Sequence, residues 1–195
     1  MLDTETPPTS TTGRTQAQRS ALTREKVLDA TVDALIELGY AGTTTQEVNR
    51  RAGVSRGALL HQFPTREALV VAAVAHLVDR RKTEILSRPR TGHEDLNILI
   101  EVFDGPLFYA ALELWVAART DAALRTAIIP LERRIADELM DTGAALFGDR
   151  YTSAELEVAA ELARGLAISR LLRDPATDRQ FCEHIFTTWT EGRRR

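Results

Sequence analysis

The stretch at residues 43–63, TTTQEVNRRAGVSRGALLHQF, constrains the chain more than any other, because it carries the start and stop signals of two short helices joined by a tight turn. Thr44 with Glu47 three residues on reads as a capping box, in which the hydroxyl accepts from an orphan amide at the helix start and the carboxylate reaches back to the cap. A helix is therefore expected from Thr45, with Val48 and Ala52 inward at i, i+4 spacing and Gln46, Asn49, Arg50 and Arg51 outside. Gly53 ends it, since glycine takes the left-handed conformation of a helix C-terminus without steric cost. Ser55 caps a second helix, whose first residues Arg56, Gly57 and Ala58 keep that end slim, while Leu59 and Phe63 anchor it to a core. Helix, glycine turn and helix is a unit whose second helix can lie in the major groove of DNA. On caps and periodicity alone, an αα-hairpin in some other helical protein fits as well.

The surrounding residues narrow this choice. From 27 to 70 the sequence VLDATVDALIELGYAGTTTQEVNRRAGVSRGALLHQFPTREALV resembles the DNA-binding head of the tetracycline-repressor (TetR) family of bacterial transcription regulators. A helix, a Gly-aromatic corner, a capped Thr run, an Ala-Gly-Val-Ser turn and a Phe after the reading helix occur in the family's order, over about the first third of the chain. The chain departs from the family at Leu60, where an aromatic, most often Tyr, commonly touches a DNA phosphate, and at Gln62, often His or Tyr. The resemblance implies a homodimer on a palindromic double-stranded operator, a small-molecule effector in the body, and repression by default. In such a complex Thr44, Thr45, Ser55, His61 and Arg66 would hold phosphates, and Arg56, Leu60 and Gln46 would reach base edges, with Gly57 allowing close approach.

Bulk properties set outer limits. A chain of 195 residues with one cysteine, Cys182, excludes a disulfide framework and fits a reducing cytoplasm. The longest apolar stretch, residues 107–118, contains Glu113 and is too short to span a bilayer, and no basic-then-apolar signal segment opens the chain, so no membrane partner is expected. The formal net charge of −3 argues against indiscriminate DNA coating, yet residues 13–66 hold eight bases against five acids. A basic head on an acidic body is expected.

Taken in order, the chain reads as all-α: a three-helix head with the helix-turn-helix, then a C-terminal helical bundle, about nine helices in total. Residues 1–18 are rich in Thr and Pro and are expected to form a disordered arm. The DNA-binding domain is assigned to 19–66 and the ligand-binding and dimerisation domain to 67–195. A first helix over 20–38 puts Val27, Ala30, Thr31, Ala34, Leu35 and Leu38 on one face and stops at Gly39, with Tyr40 packing back on Leu35. Pro64 and Thr65 start a long helix over 66–87, which links head to body and carries His76. Thr91 with Glu94 caps a helix over 95–103, and Pro106 opens the next, LFYAALELWVAAR, apolar nearly all round and so central to a bundle.

That central helix is where a regulatory pocket is expected. Phe103, Phe108, Tyr109 and Trp115 bring aromatic side chains together, with Leu112 beside them and Glu113, Tyr109 and Arg119 as polar handles. Plain core packing is the competing reading of the same aromatics. A helix over 121–147 contains Pro130, which should bend it. The last two helices, 153–173 and 176–193, are the candidates for dimerisation, through Leu156, Ala159, Ala160 and Ala163 on the first and Phe181, Ile185 and Trp189 on the second.

Two other function classes stay open at this point. An α-helical enzyme needs a constellation the sequence lacks: His61, His76, His93 and His184 have no metal-ligand spacing, and there is no phosphate loop or nucleophile elbow, so no catalytic residue, metal or cofactor is assigned. A helical adaptor or small-molecule-binding protein without DNA reading would leave Thr44, Thr45, Arg56 and His61 without a reason to cluster at two helix starts.

Overall fold

The computed structural model describes residues 15–87 and 98–192. The greater part of the expected arm, with Arg14, the cap at Thr91 and Glu94, His93, and the Arg run at 193–195 lie outside the described residues. Within them the chain forms nine α-helices and one 3-10 turn, with no strand.

Helix α1 (Gln16–Gly42) starts four residues before the expected point, because Thr15 accepts from the Gln18 N–H and the Gln18 side chain returns the bond to the Thr15 N–H. Residues 16–18, assigned to the arm, are therefore helical. Its buried face, Val27, Leu28, Ala30, Thr31, Ala34 and Leu35, follows the expected period except at Leu38, which is exposed, and the Thr31 hydroxyl donates to the Val27 carbonyl inside it. The chain does break at Gly39, but with φ +65° and ψ −178°, a conformation reserved for glycine and distinct from a left-handed cap. One more helical turn, containing Tyr40, follows before the chain reverses.

Helices α2 (Thr45–Ala52) and α3 (Arg56–Gln62) close the head around Val27, Val48, Leu59, Phe63, Leu69 and Ala73. Helix α4 (Arg66–Ser87) is shared. Leu69 and Ala73 belong to the head core, whereas Val70 and Val74, the next residue on in each case, belong to a second core with Leu35, Tyr40, Ala110, Leu114, Leu124, Ile128 and Leu131. Successive helical residues point about 100° apart, so one rod seals two cores.

The second core is built on α6 (Pro106–Ala118), the expected central helix, which Gly105 (φ +83°) and Pro106 start. It packs on α1, α4 and α7 (Ala122–Phe147). Helix α7 runs unbroken through an exposed Pro130, and Asp121 caps it by accepting from the Leu124 N–H at 2.9 Å. A third core joins α5 (Ile98–Val102), the end of α7, α8 (Ser153–Arg170) and α9 (Pro175–Gly192) through Leu99, Phe147, Leu156, Ala159, Ala163, Leu166, Cys182 and Phe186. Gly143 admits α8, since a Cβ there would sit 3.2 Å from Leu156. At the α8–α9 corner the buried Asp178 carboxylate accepts from Arg170 at 2.5 Å and Arg173 at 2.7 Å. Burial pushes that carboxyl up, but the two guanidinium bonds outweigh it and hold it below the usual range.

Candidate functional site

Local capping chemistry positions the reading face of the head. The Thr44 hydroxyl accepts from the Glu47 N–H at 3.1 Å, Gly53 sits in the left-handed region at φ +65°, and the Ser55 hydroxyl accepts from the Ala58 N–H at 3.2 Å. The second half of the expected capping box does not form. Thr44 N–H donates to the Gly42 carbonyl, and the Glu47 carboxylate turns to the solvent side instead, taking bonds from Arg50 at 2.6 and 2.8 Å and from Arg51 at 2.6 Å. Arg51 also donates to Glu37 at 2.8 Å, tying α2 to α1. Hydrogen bonds from Arg50 and then Arg51 pull the Glu47 carboxyl down to about 2, and the bond from Arg51 lowers Glu37 as well.

With Leu59 and Phe63 buried, the opposite side of α3 presents Ser55, Arg56, Gly57, Leu60 and His61 to solvent, beside the exposed Thr44 and Gln46 and the half-buried Thr45. Leu60 is 37% exposed, and a Cβ on Gly57 would meet nothing within 4 Å, so this helix end is narrow and open. Arg66, expected on a phosphate, belongs elsewhere. Its guanidinium lies 3.9 Å from the Tyr40 ring centre and donates to the Thr43 carbonyl at 2.8 Å and to the Tyr40 carbonyl. A long side chain beside the Thr43 and Tyr40 carbonyls at the end of α1 bonds to them rather than reaching outward.

A cavity of about 130 Å³ lies between α4, α5, α6, α7 and α8. Phe103, Phe108 and Trp115 line it as expected, with Val74, Val78, Leu99 and Ile135, and Phe108 packs edge-on to Phe103 and Trp115 at about 6 Å. Tyr109, Leu112, Glu113 and Arg119 do not line it. Periodicity could not choose a side on a helix that is apolar nearly all round, and the true polar groups of the wall come from other helices: Arg81, Lys82, Glu132, Glu138, Thr142 and Arg164. Glu132 accepts from the Trp115 indole N–H at 2.6 Å, and Lys82 pairs with Glu138 at 3.2 Å. Glu113 points the opposite way, to the break in α1, where it accepts from the Tyr40 N–H at 3.1 Å. The Tyr40 hydroxyl donates to Asp121 at 3.1 Å, so head and body meet on a polar junction that sequence reasoning missed. Its one visible signal is an acid, Glu113, inside an otherwise apolar helix.

With this geometry in hand, comparison with known proteins decides the family. Residues 27–73 match the family model of bacterial regulatory proteins, tetR family. An HTH-type transcriptional regulator of Mycobacterium tuberculosis is 35% identical over 144 residues, covering 69% of this chain and 73% of that one. The chain belongs to the TetR family of bacterial regulators.

Another relative, the HTH-type transcriptional regulator CymR of Pseudomonas putida, is 36% identical over 122 residues, 59% of this chain and 60% of that protein. The fold agrees with the multidrug binding protein EbrR, solved in complex with ethidium, at a TM-score of 0.66 and 22% identity over 85% of this chain and 96% of that one. Among the described residues no helix is long and apolar enough to cross a membrane.

In this TetR-family body the small residues of α8 face inward. Leu156, Ala159, Ala160 and Ala163, expected at a dimer interface, are buried within the protomer. A stripe of small side chains lets α7 and α9 of the same chain approach as readily as a second copy, which is why the sequence pattern pointed to the wrong partner. On α9, Phe181 is 43% exposed while Ile185 and Trp189 are half-buried against the third core. The apolar groups that α8 shows to solvent are Val158 and Ile168, with Leu171 and Leu172 just past its end, the last 95% exposed.

Proposed function

We propose that this chain is a non-catalytic, homodimeric repressor that reads a two-fold symmetric operator and leaves it when a small molecule occupies the body. The observation that carries the reading is the exposure of Ser55, Arg56, Gly57, Leu60 and His61 together on one side of α3, with Leu59 and Phe63 anchoring the other. Arg56, which has no hydrogen-bond or ion-pair partner among the described residues, is assigned to guanine, and Leu60 and Gln46 to neighbouring base edges. Thr44, Thr45, Ser55 and His61 are assigned to phosphates. Dimerisation is assigned to α8 and α9 through Val158, Ile168, Leu172 and Phe181, which would set two reading helices in successive major grooves about 34–36 Å apart. The regulators named among its relatives, and the ethidium held by EbrR, support the reading, and the bacterial cytoplasm is where such a protein would act. Near-complete release requires an effector to favour the non-binding form by about 10⁴, or roughly 5.5 kcal/mol.

The test is selection of bound duplexes from a random pool at near-physiological salt. Enrichment of a palindrome is expected. Binding that merely fades as salt rises, with no sequence enriched, would overturn the reading.

A further inference from the structure

We infer that the cavity in the body takes a small apolar acid: a molecule about one ring in size carrying a single carboxylate, which Arg81 and Arg164 receive. The inference rests on the reading of that cavity as the effector site, and it concerns the chemistry of the occupant.

Two residues of the wall have a donor left over. Arg81 on α4 sends its terminal nitrogens to Glu84 at 2.9 Å and to the Glu101 carbonyl at 3.1 Å. Arg164 on α8 holds Glu161 at 2.5 Å. Glu84 and Glu161 are more than half exposed, so each guanidinium is anchored at its outer end, while in both residues the Nε–H is buried and has no hydrogen-bond partner. A buried charged donor without an acceptor is unfavourable, and native structures rarely leave one so. Here two of them lie in residues that line the same cavity.

The sign of the missing partner follows from the rest of the wall. Three bases, Arg81, Lys82 and Arg164, face two acids, Glu132 and Glu138. Glu138 is already held by Lys82 and by Arg134 at 3.4 Å, and Glu132 by the Trp115 indole. Two of the aromatic rings that would attract a cationic ligand already hold a cation, since the Arg164 guanidinium lies 5.4 Å from the ring centres of both Phe103 and Trp115. A second cation would have to displace it, whereas a carboxylate would pair with it. Size follows from volume: a space of about 130 Å³ is close to the roughly 150 Å³ apolar cavity that accepts benzene.

The test measures binding of four probes to the full chain by calorimetry and thermal shift at neutral pH: cyclohexanecarboxylate, its primary amide, aminomethylcyclohexane and toluene. The carboxylate should bind at least about tenfold more tightly than the amide or the amine. Arg81→Met and Arg164→Met should each weaken it by about tenfold while binding toluene like the parent, which also reports that the variants are folded. If the amide or amine binds as well as the acid, if toluene alone binds, or if both variants hold the acid unchanged, the carboxylate inference fails and the effector site survives. Binding of none of the four would mean a closed core and would overturn both. Arginine-dependent binding of the acid with no loss of operator affinity would uphold the ligand chemistry and overturn its role as a releasing signal.

Discussion

The Glu113 carboxylate on α6 accepts the backbone N–H of Tyr40 at 3.1 Å, joining residues 73 positions apart across the seam between head and body. Gly39 makes the approach possible, because a Cβ there would lie 2.7 Å from Glu113 Oε2. Gly39→Ala should destabilise the fold by about 1–3 kcal/mol, through a backbone that disfavours any side chain and through eviction of the carboxylate from the Tyr40 N–H. In a Glu113→Ala background the second effect is absent. Urea unfolding of the two single variants and the double variant should therefore show a coupling of about 0.5 kcal/mol or more, and simple additivity would remove Glu113 from the account.

Arg56 and Arg66 should separate cleanly. Arg56→Ala should leave the melting temperature unchanged and cost about 1–3 kcal/mol of discrimination between operator and random DNA. Arg66→Ala deprives the Tyr40 and Thr43 carbonyls of a charged donor and should lower stability by about 2 kcal/mol. Thermal melts and competition binding on both variants check this; a stable Arg66→Ala protein with uniformly weakened DNA binding would return that side chain to a phosphate.

The head should weaken in acid with a recognisable origin. Glu47 titrates at about 2 in the folded protein and near 4.3 when unfolded, so its depressed carboxyl contributes stability that is fully present above about pH 4.3 and is lost as pH falls towards 2. Glu37 is shifted in the same direction. Urea midpoints between pH 6 and pH 2 should fall more steeply for the parent than for Glu47→Gln. Parallel curves would show that Arg50 and Arg51 do not stabilise the folded carboxylate in solution.

Arg66 and Glu47 lie where local sequence stops deciding the structure. Thr44, Gly53 and Ser55 were legible because caps and turns are decided within four residues of chain, and the order of helices followed from apolar periodicity. Arg66 and the Glu47 carboxylate were misread because a long polar side chain chooses its partner by tertiary proximity, here the carbonyls at the α1 break and two arginines on α2. In the body, Phe103, Phe108 and Trp115 line the cavity and Tyr109, Leu112, Glu113 and Arg119 do not, for one reason: an apolar helix announces burial but not which side meets a void. Arg81 and Arg164 carried no sequence signal, since on amphipathic helices they read as solvated charge.

The exposed Leu172 just past the end of α8 gives a sharp test of assembly. Leu172→Asp should convert a dimer to a folded monomer in sedimentation, with helical content retained. Ala160→Asp, only two helical turns away from Ile168 but buried in the protomer, should instead cost about 3 kcal/mol or more of fold stability. A dimeric Leu172→Asp protein would place the contact elsewhere.

The alternation of Leu69 and Val70, then Ala73 and Val74, between two cores bears on how this protein can be recombined. A hybrid regulator spliced just after Arg66 would give the incoming head a rod whose head-facing residues, at positions 69 and 73, were shaped for a different head. Swapped modules should function only when Leu69 and Ala73 are matched to the incoming head while Val70 and Val74 stay matched to the body, and inserting a single amino acid into α4 upstream of them would swing the reading helix by about 100° relative to the body.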